Sequence, residues 1–178
     1  MTAHPPQQPW IERTWSFAFP VELYPSLLAR LRGTPVRLEE ELRRFAPDRL
    51  TSPKEGAWSP QRHGGHLVDL EALFQGRLEE FMNGTETLRP ADMSNAATDA
   101  AEHDQVDLET ILAEFRRVRG DYVGRLAQLS TEDFARCALH PRLGTPMRLV
   151  DMCLFQADHD DHHLASIHML HSLCWHPV

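Results

Sequence analysis

A chain of 178 residues that is 42% hydrophobic and 25% charged has room for one domain with a true core, which sets it apart from disordered and fibrous chains. Its net charge of −8, without any Lys/Arg run, argues against a nucleic-acid partner, and no stretch approaches the roughly 18 apolar residues of a membrane span. Three cysteines, Cys137, Cys153 and Cys174, form no Cys-x-x-Cys pair, and the opening residues lack an apolar leader, so the expected setting is reduced and cytoplasmic.

Residues 1–20, with Trp10, Trp15, Phe17 and Phe19 among prolines, read as an extended aromatic arm that needs a surface to cover, either the bundle or a second subunit. From Tyr24 to Phe45, the residues Leu27, Leu31, Leu38, Leu42 and Phe45 recur at the steps of one helical face. Thr34-Pro35 interrupts that run, and the dipeptide either caps a second segment or kinks one long helix. Ser59-Pro60 starts a second helix, Pro60 to Met82, which stops at Asn83-Gly84 and carries His66, Leu70, Leu73 and Arg77 on one face.

Gly84 to Gln105 has no sustained apolar period and is too long for a hairpin, so it reads as a crossover. A third helix, Asp107 to Leu129, shows the clearest period, through Leu108, Ile111, Phe115, Val118 and Tyr122. After a connection at Asp133 to Gly144, Thr145-Pro146 is expected to launch the last helix, Pro146 to Leu173. No strand pattern competes. The expected fold is a single all-α domain spanning residues 1–178, a four-helix bundle with its long crossover between the second and third helices.

The 11 histidines exceed average usage, and two of them fall on the last helix at a four-residue interval. His159 and His163 lie about 40° apart and one turn along the axis, on the stripe that carries Met152, Phe155 and Leu170. Asp158, Asp160 and Asp161 fall outside it. Two buried imidazoles side by side each need a partner, and a shared cation supplies one to both. His66 belongs to the inner face of another helix, and bundle cores build metal sites from facing helices. His162 is nearer the rim, as a solvated or supporting group. Asp69, one turn after His66, either orients an imidazole or is solvated, and Arg77 either binds an anionic substrate group or lies along the surface. Phosphate-binding glycine loops and the hydrolase nucleophile elbow are absent from the sequence.

Trp58-Ser59-Pro60, His66-Leu67 with Asp69, His140-Pro141-Arg142-Leu143-Gly144 and the run Gln156-Ala157-Asp158-His159-Asp160-Asp161-His162-His163-Leu164 resemble the DinB-like (DinB/YfiT) metal-binding four-helix-bundle family over nearly the whole chain. The resemblance implies a divalent ion on His66, His159 and His163, a homodimer, and kinship with thiol-dependent S-transferases and a mycothiol-dependent isomerase. His63 departs from the pattern, standing where relatives usually carry an apolar residue, and is an alternative or extra ligand.

Three neutral imidazoles are the ligand count of catalytic zinc and leave a coordination position open. Zinc and nickel are the first expectation, and iron and manganese also suit imidazole. The expected activity is transfer of a low-molecular-weight thiol to a small-molecule substrate. The alternatives are a metal-dependent hydrolase and a non-catalytic, stress-associated metal- or ligand-binding protein.

Overall fold

The computed structural model describes residues 7–53 and 57–174, with side chains as far as residue 171. In chain order the elements are α1 (Tyr24–Leu42), α2 (Pro47–Leu50), α3 (Pro60–Asp69), α4 (Glu71–Met82), α5 (Ala96–Ala100), α6 (Leu108–Leu126), α7 (Thr131–Phe134), β1 (Cys137–His140), β2 (Thr145–Arg148) and α8 (Leu149–Cys174). The bundle consists of α1, the pair α3/α4, α6 and α8: α1 packs on α8 and α6, and α3 packs on the same two helices. The pair is interrupted at a single residue, Leu70, whose backbone stays right-handed helical, so the expected helix 60–82 is close to one element. No helix among the described residues is long and apolar enough to cross a membrane.

Each helix changes character at mid-length. One apolar cluster holds Leu31, Phe74, Tyr122 and Phe155, and a second holds Leu38, Leu67, Phe115 and Leu164. Between the two, every helix contributes a buried polar residue: Thr34, Glu71, Arg119 and Asp160 are each at most 1% exposed. Arg119 donates to Glu71 Oε1 from Nε (2.8 Å) and to the two Asp160 oxygens from Nη1 and Nη2 (2.6 and 3.1 Å). Thr34 Oγ1 donates to Asp160 Oδ2 (2.8 Å), and Gln156 Nε2 to Glu71 Oε1 (3.1 Å). Asp160 therefore lies in the interior, contrary to its expected place off the core stripe, because α8 is enclosed on more than one side. Asp158 and Asp161 stay half-buried under Arg30.

This layer also explains Pro35. The proline sits inside α1 without ending it, and it has no N–H for the Leu31 carbonyl one turn back. Arg119 Nη1 donates to that carbonyl at 3.2 Å, so a side chain from α6 replaces the missing helical hydrogen bond.

Two expectations are corrected. Residues 137–148 form an antiparallel hairpin, with Cys137 opposite Arg148 and His140 opposite Thr145, where no strand was expected. Pro146 lies in β2, so the last helix begins at Leu149. Its true start is marked by Asp151, whose carboxylate accepts from the Arg148 backbone N–H at 2.8 Å, as an acidic residue in the first turn does. Gly144, at φ +63°, supplies the left-handed residue of the tight turn. Glu86 and Leu88 bond to Leu139, which ties the start of the crossover to β1.

The described part of the arm packs on the chain's own bundle, since Trp10, Trp15, Phe17 and Phe19 lie against the first apolar cluster. Gln7 fastens it to α8: its Nε2 reaches His162 Nδ1 and the His162 carbonyl, and its Oε1 accepts from Ser166. Residues 1–6 of the arm lie outside the described residues, as do His4 and His176.

Candidate metal centre

Ser59 caps α3 by accepting from Arg62 N, and the helix then delivers His66 to the interior, 5% exposed. On α8, His159 and His163 are each 7% exposed. Each of the three presents one nitrogen within 4.8 Å of the other two. His159 Nε2 and His163 Nε2 stand 3.2 Å apart, close to the separation of about 3.4 Å that two imidazole nitrogens have on one tetrahedral zinc ion. Among the described residues no cysteine or carboxylate joins this group. Cys153 is buried elsewhere, with its thiol pushed up to about 12 by burial, and Cys137 is exposed on β1.

The protein leaves one member of this cluster, His159, without a partner other than an imidazole. The Nδ1 atom of His159 is buried without a partner, and its Nε2 meets only the other imidazole. Burial lowers the pKa of all three histidines, His66 to about 4 and the other two well below the ordinary value. Neutral rings with converging lone pairs are the form a divalent ion requires, so the donor set fits one.

Two of the imidazoles are oriented from behind. His66 Nδ1 meets Thr98 Oγ1 at 3.0 Å, and that hydroxyl donates to Asp69 Oδ2 at 2.8 Å. Asp69 also accepts from His103 Nε2 at 2.9 Å. Asp69 thus reaches His66 through a hydroxyl, a support of the kind that fixes ring tilt and tautomer. His163 is oriented by His63, whose Nδ1 stands 2.8 Å from His163 Nδ1. His63 lies outside the converging group and in contact with it, held down to about 3 by burial and by neighbouring His66. His162 lies on the cleft wall, tied to Gln7.

Thr98 and His103 come from the crossover, where the sequence offers no periodic signal for either. Glu102, at φ +45°, takes a strained backbone turn that brings His103 over α3. Gly65 admits it there, because a Cβ at that position would lie 2.1 Å from the His103 ring. Trp10 and Trp58, also missed, cover the histidines: Trp10 meets the His159 ring edge-on at 4.9 Å, and Trp58 meets His66 at 4.9 Å.

The three histidines line a cleft of about 420 Å³. Leu70, Leu73, Phe74 and Phe155 form its apolar wall, and Asp92, Met93 and Asn95 of the crossover form part of its rim. Arg77, His140 and Arg142 line it as well. Arg77 is buried, 1% exposed, in place of lying along the surface. His140 comes from β1, and Arg142 from the hairpin turn.

In fold the chain is similar to YfiT from Bacillus subtilis, a probable metal-dependent hydrolase with an unusual four-helix bundle topology, at TM-score 0.80 and 21% identity over 93% of this chain and 95% of that one. It is also similar to the mycothiol-dependent maleylpyruvate isomerase (TM-score 0.64, 11% identity, 84% of this chain and 61% of that one). The colibactin self-resistance protein ClbS, in complex with a dsDNA, gives TM-score 0.60 at 14% identity over 83% of this chain and 94% of that one. No curated protein sequence matches. Likeness at these identities speaks for the fold and not for the chemistry. The DinB superfamily model matches residues 30–167, which include all three histidines of the cluster, and the chain belongs to that superfamily.

Proposed function

We propose that the protein is a metal-dependent enzyme that transfers an exogenous thiol to a small-molecule substrate, with a divalent ion held by His66, His159 and His163. The observation that carries this reading is the convergence of three neutral imidazoles, and no fourth protein ligand among the described residues, at the wall of an open, largely apolar cleft. The ion would supply Lewis acidity, so that a thiol or a water at its open position loses its proton near neutral pH.

The chain's own residues favour the thiol. Water attack is commonly assisted by a neighbouring carboxylate base, and the cleft's one carboxylate among the described residues, Asp92, is exposed at the rim. Asp92 is also committed to Ser94 and to the Ala96 backbone N–H. A thiol needs less help of this kind, since its unperturbed pKa lies close to neutral. Trp10 and Trp58 exclude water from the imidazoles, while the wall of Leu70, Leu73 and Phe155 receives an apolar substrate body.

Metal hydrolysis is the second reading, because His162, a ring held through Nδ1 by Gln7, lines the cleft beside the cluster, where it can orient an attacking water. Cobalt substitution separates the two. Small thiols titrated into the cobalt form should raise an intense near-ultraviolet sulfur-to-metal band, absent from His159→Ala. A spectrum unmoved by every thiol tried, with water exchange intact, selects hydrolysis. Absence of stoichiometric metal from protein purified without a histidine tag would sink both.

A further inference from the structure

Away from the imidazole cluster, the cleft gathers hydrogen-bond donors with no acceptor to receive them. The backbone N–H of Leu143 donates to His140 Nδ1 at 3.2 Å, and a backbone amide can only donate. Nδ1 therefore carries the lone pair, and the proton of the neutral ring sits on Nε2. That Nε2–H faces Arg77 Nη1 at 3.3 Å, a guanidinium nitrogen that also can only donate. Two donors thus stand nose to nose in a buried place. Arg77 spends Nε and Nη2 on the Arg89 carbonyl (3.1 and 2.9 Å), and Nη1 reaches, besides the imidazole, only a methionine sulfur at 4.0 Å. Arg142, the third member, has a buried Nη2 with no partner. Neither arginine forms an ion pair among the described residues, although burial holds Arg77 down to about 10 and also lowers Arg142. Two guanidinium charges without a carboxylate, one of them wholly buried, are costly unless an anion completes the site.

We infer that Arg142, Arg77 and His140 form a carboxylate-binding pole, and that the substrate of the cleft is a small organic acid whose carboxylate lies there while its apolar body runs along Phe155 toward the histidine cluster. The two poles are one small molecule apart. The Phe155 ring lies 5.2 Å from His140 and 5.0 Å from Trp10, Trp10 lies 4.9 Å from His159, and Phe155 and His159 are one turn apart on α8. The donor count favours a planar two-oxygen group: one free guanidinium edge, one imidazole N–H and one shared Nη1 suit a carboxylate, whereas a phosphate has a third oxygen to satisfy. The inference rests on the proposed function for the identity of the reacting end. The anion pole itself can be tested without the ion.

Phenylacetate, its neutral amide phenylacetamide and benzylphosphonate serve as probes, with binding followed by the fluorescence of the cleft tryptophans and by calorimetry. Measurements are made on the protein as purified and after chelator treatment. The acid should bind at least ten-fold more tightly than the amide in both forms. Arg142→Gln, at the half-exposed hairpin turn, should erase that preference while metal stoichiometry stays as in the wild type, and Arg142→Lys should keep part of it. Equal affinities for acid and amide, or a preference for the phosphonate, overturn the inference. So does acid binding that disappears with the metal and ignores Arg142→Gln, since the carboxylate would then sit on the ion. His159→Ala keeps the two proposals apart: loss of metal with acid binding retained leaves the anion pole standing alone, and failure of metal binding in the wild type leaves the acid–amide comparison intact.

Discussion

Two groups of buried polar residues lie side by side in the middle of this bundle, and they are built on opposite principles. The layer of Arg119, Glu71, Asp160 and Thr34 pairs its own groups: a guanidinium between two carboxylates uses every nitrogen within the chain, on side chains and on the carbonyl that Pro35 leaves vacant. One oxygen, Glu71 Oε2, is left over, and burial raises the Glu71 pKa accordingly. The histidine cluster next to it does the reverse, with imidazole nitrogens facing each other and one buried nitrogen facing nothing. A buried polar group paired within the chain holds the fold, whereas imidazole nitrogens turned on one another fit a bound cation between them. The ionic layer serves the cluster indirectly: Asp160 and Gln156 bracket His159 on α8, and their bonds to Arg119 and Glu71 fix the rotation of that helix.

The sharpest way to break this contrast is to remove the centre of the ionic layer. Arg119→Met strands Glu71 and Asp160 in the interior and should cost about 3–5 kcal/mol, or prevent folding, as read from the urea midpoint. His159→Ala should leave the metal-free protein close to wild-type stability. If both variants lose stability equally without metal, the distinction fails.

The metal-loaded protein carries the next largest effect. An ion at a thousand times its dissociation constant adds about 4 kcal/mol to the native state, so chelation should lower the unfolding free energy by that amount and the melting temperature with it. His66→Ala, His159→Ala and His163→Ala should each abolish both this increment and stoichiometric metal, measured by elemental analysis, whereas His162→Ala should keep most of each. His63→Ala should weaken metal binding by 10- to 100-fold, about the effect of losing an orienting partner. Complete loss in His63→Ala would make it a ligand.

Acid should find the cluster before it finds the ionic layer. His66 titrates near 4 in the native protein because of burial, against 6.5 ordinarily, so below 6.5 the unfolded chain binds protons that the native one refuses. Stability of the metal-free protein should therefore fall as pH drops from about 6.5 toward 4, and metal should be released over the same window as protons compete for the imidazoles. A stability curve flat across that range would show that the histidines are not buried neutral. The smallest predicted effect is Thr98→Val, which cuts the link from His66 to Asp69. It should weaken metal binding about ten-fold, by competition with a chromogenic chelator, and leave the unfolding free energy from urea titration within about 1 kcal/mol of wild type.

By itself the sequence determined the parts that rest on local periodicity. The faces of α1, the α3/α4 pair and α6 follow from apolar residues repeating at the helical step, and the same arithmetic set His159 and His163 together on α8 with His66 on a facing helix. Pairings between distant residues belong to the tertiary structure. Thr145-Pro146 looks locally like a helix start, and only the chance to pair with β1 makes it a strand, moving the start of α8 to Leu149. Pro35 is tolerated because Arg119, 84 positions along the chain, reaches the carbonyl it leaves unpaired. Thr98 and His103 acquire meaning when the crossover folds over α3, and Arg77, His140 and Arg142 become a group when the hairpin closes on α4 and α8. A helical repeat is written in residues three and four apart, whereas a missing acceptor among three donors exists only after the chain has brought them together.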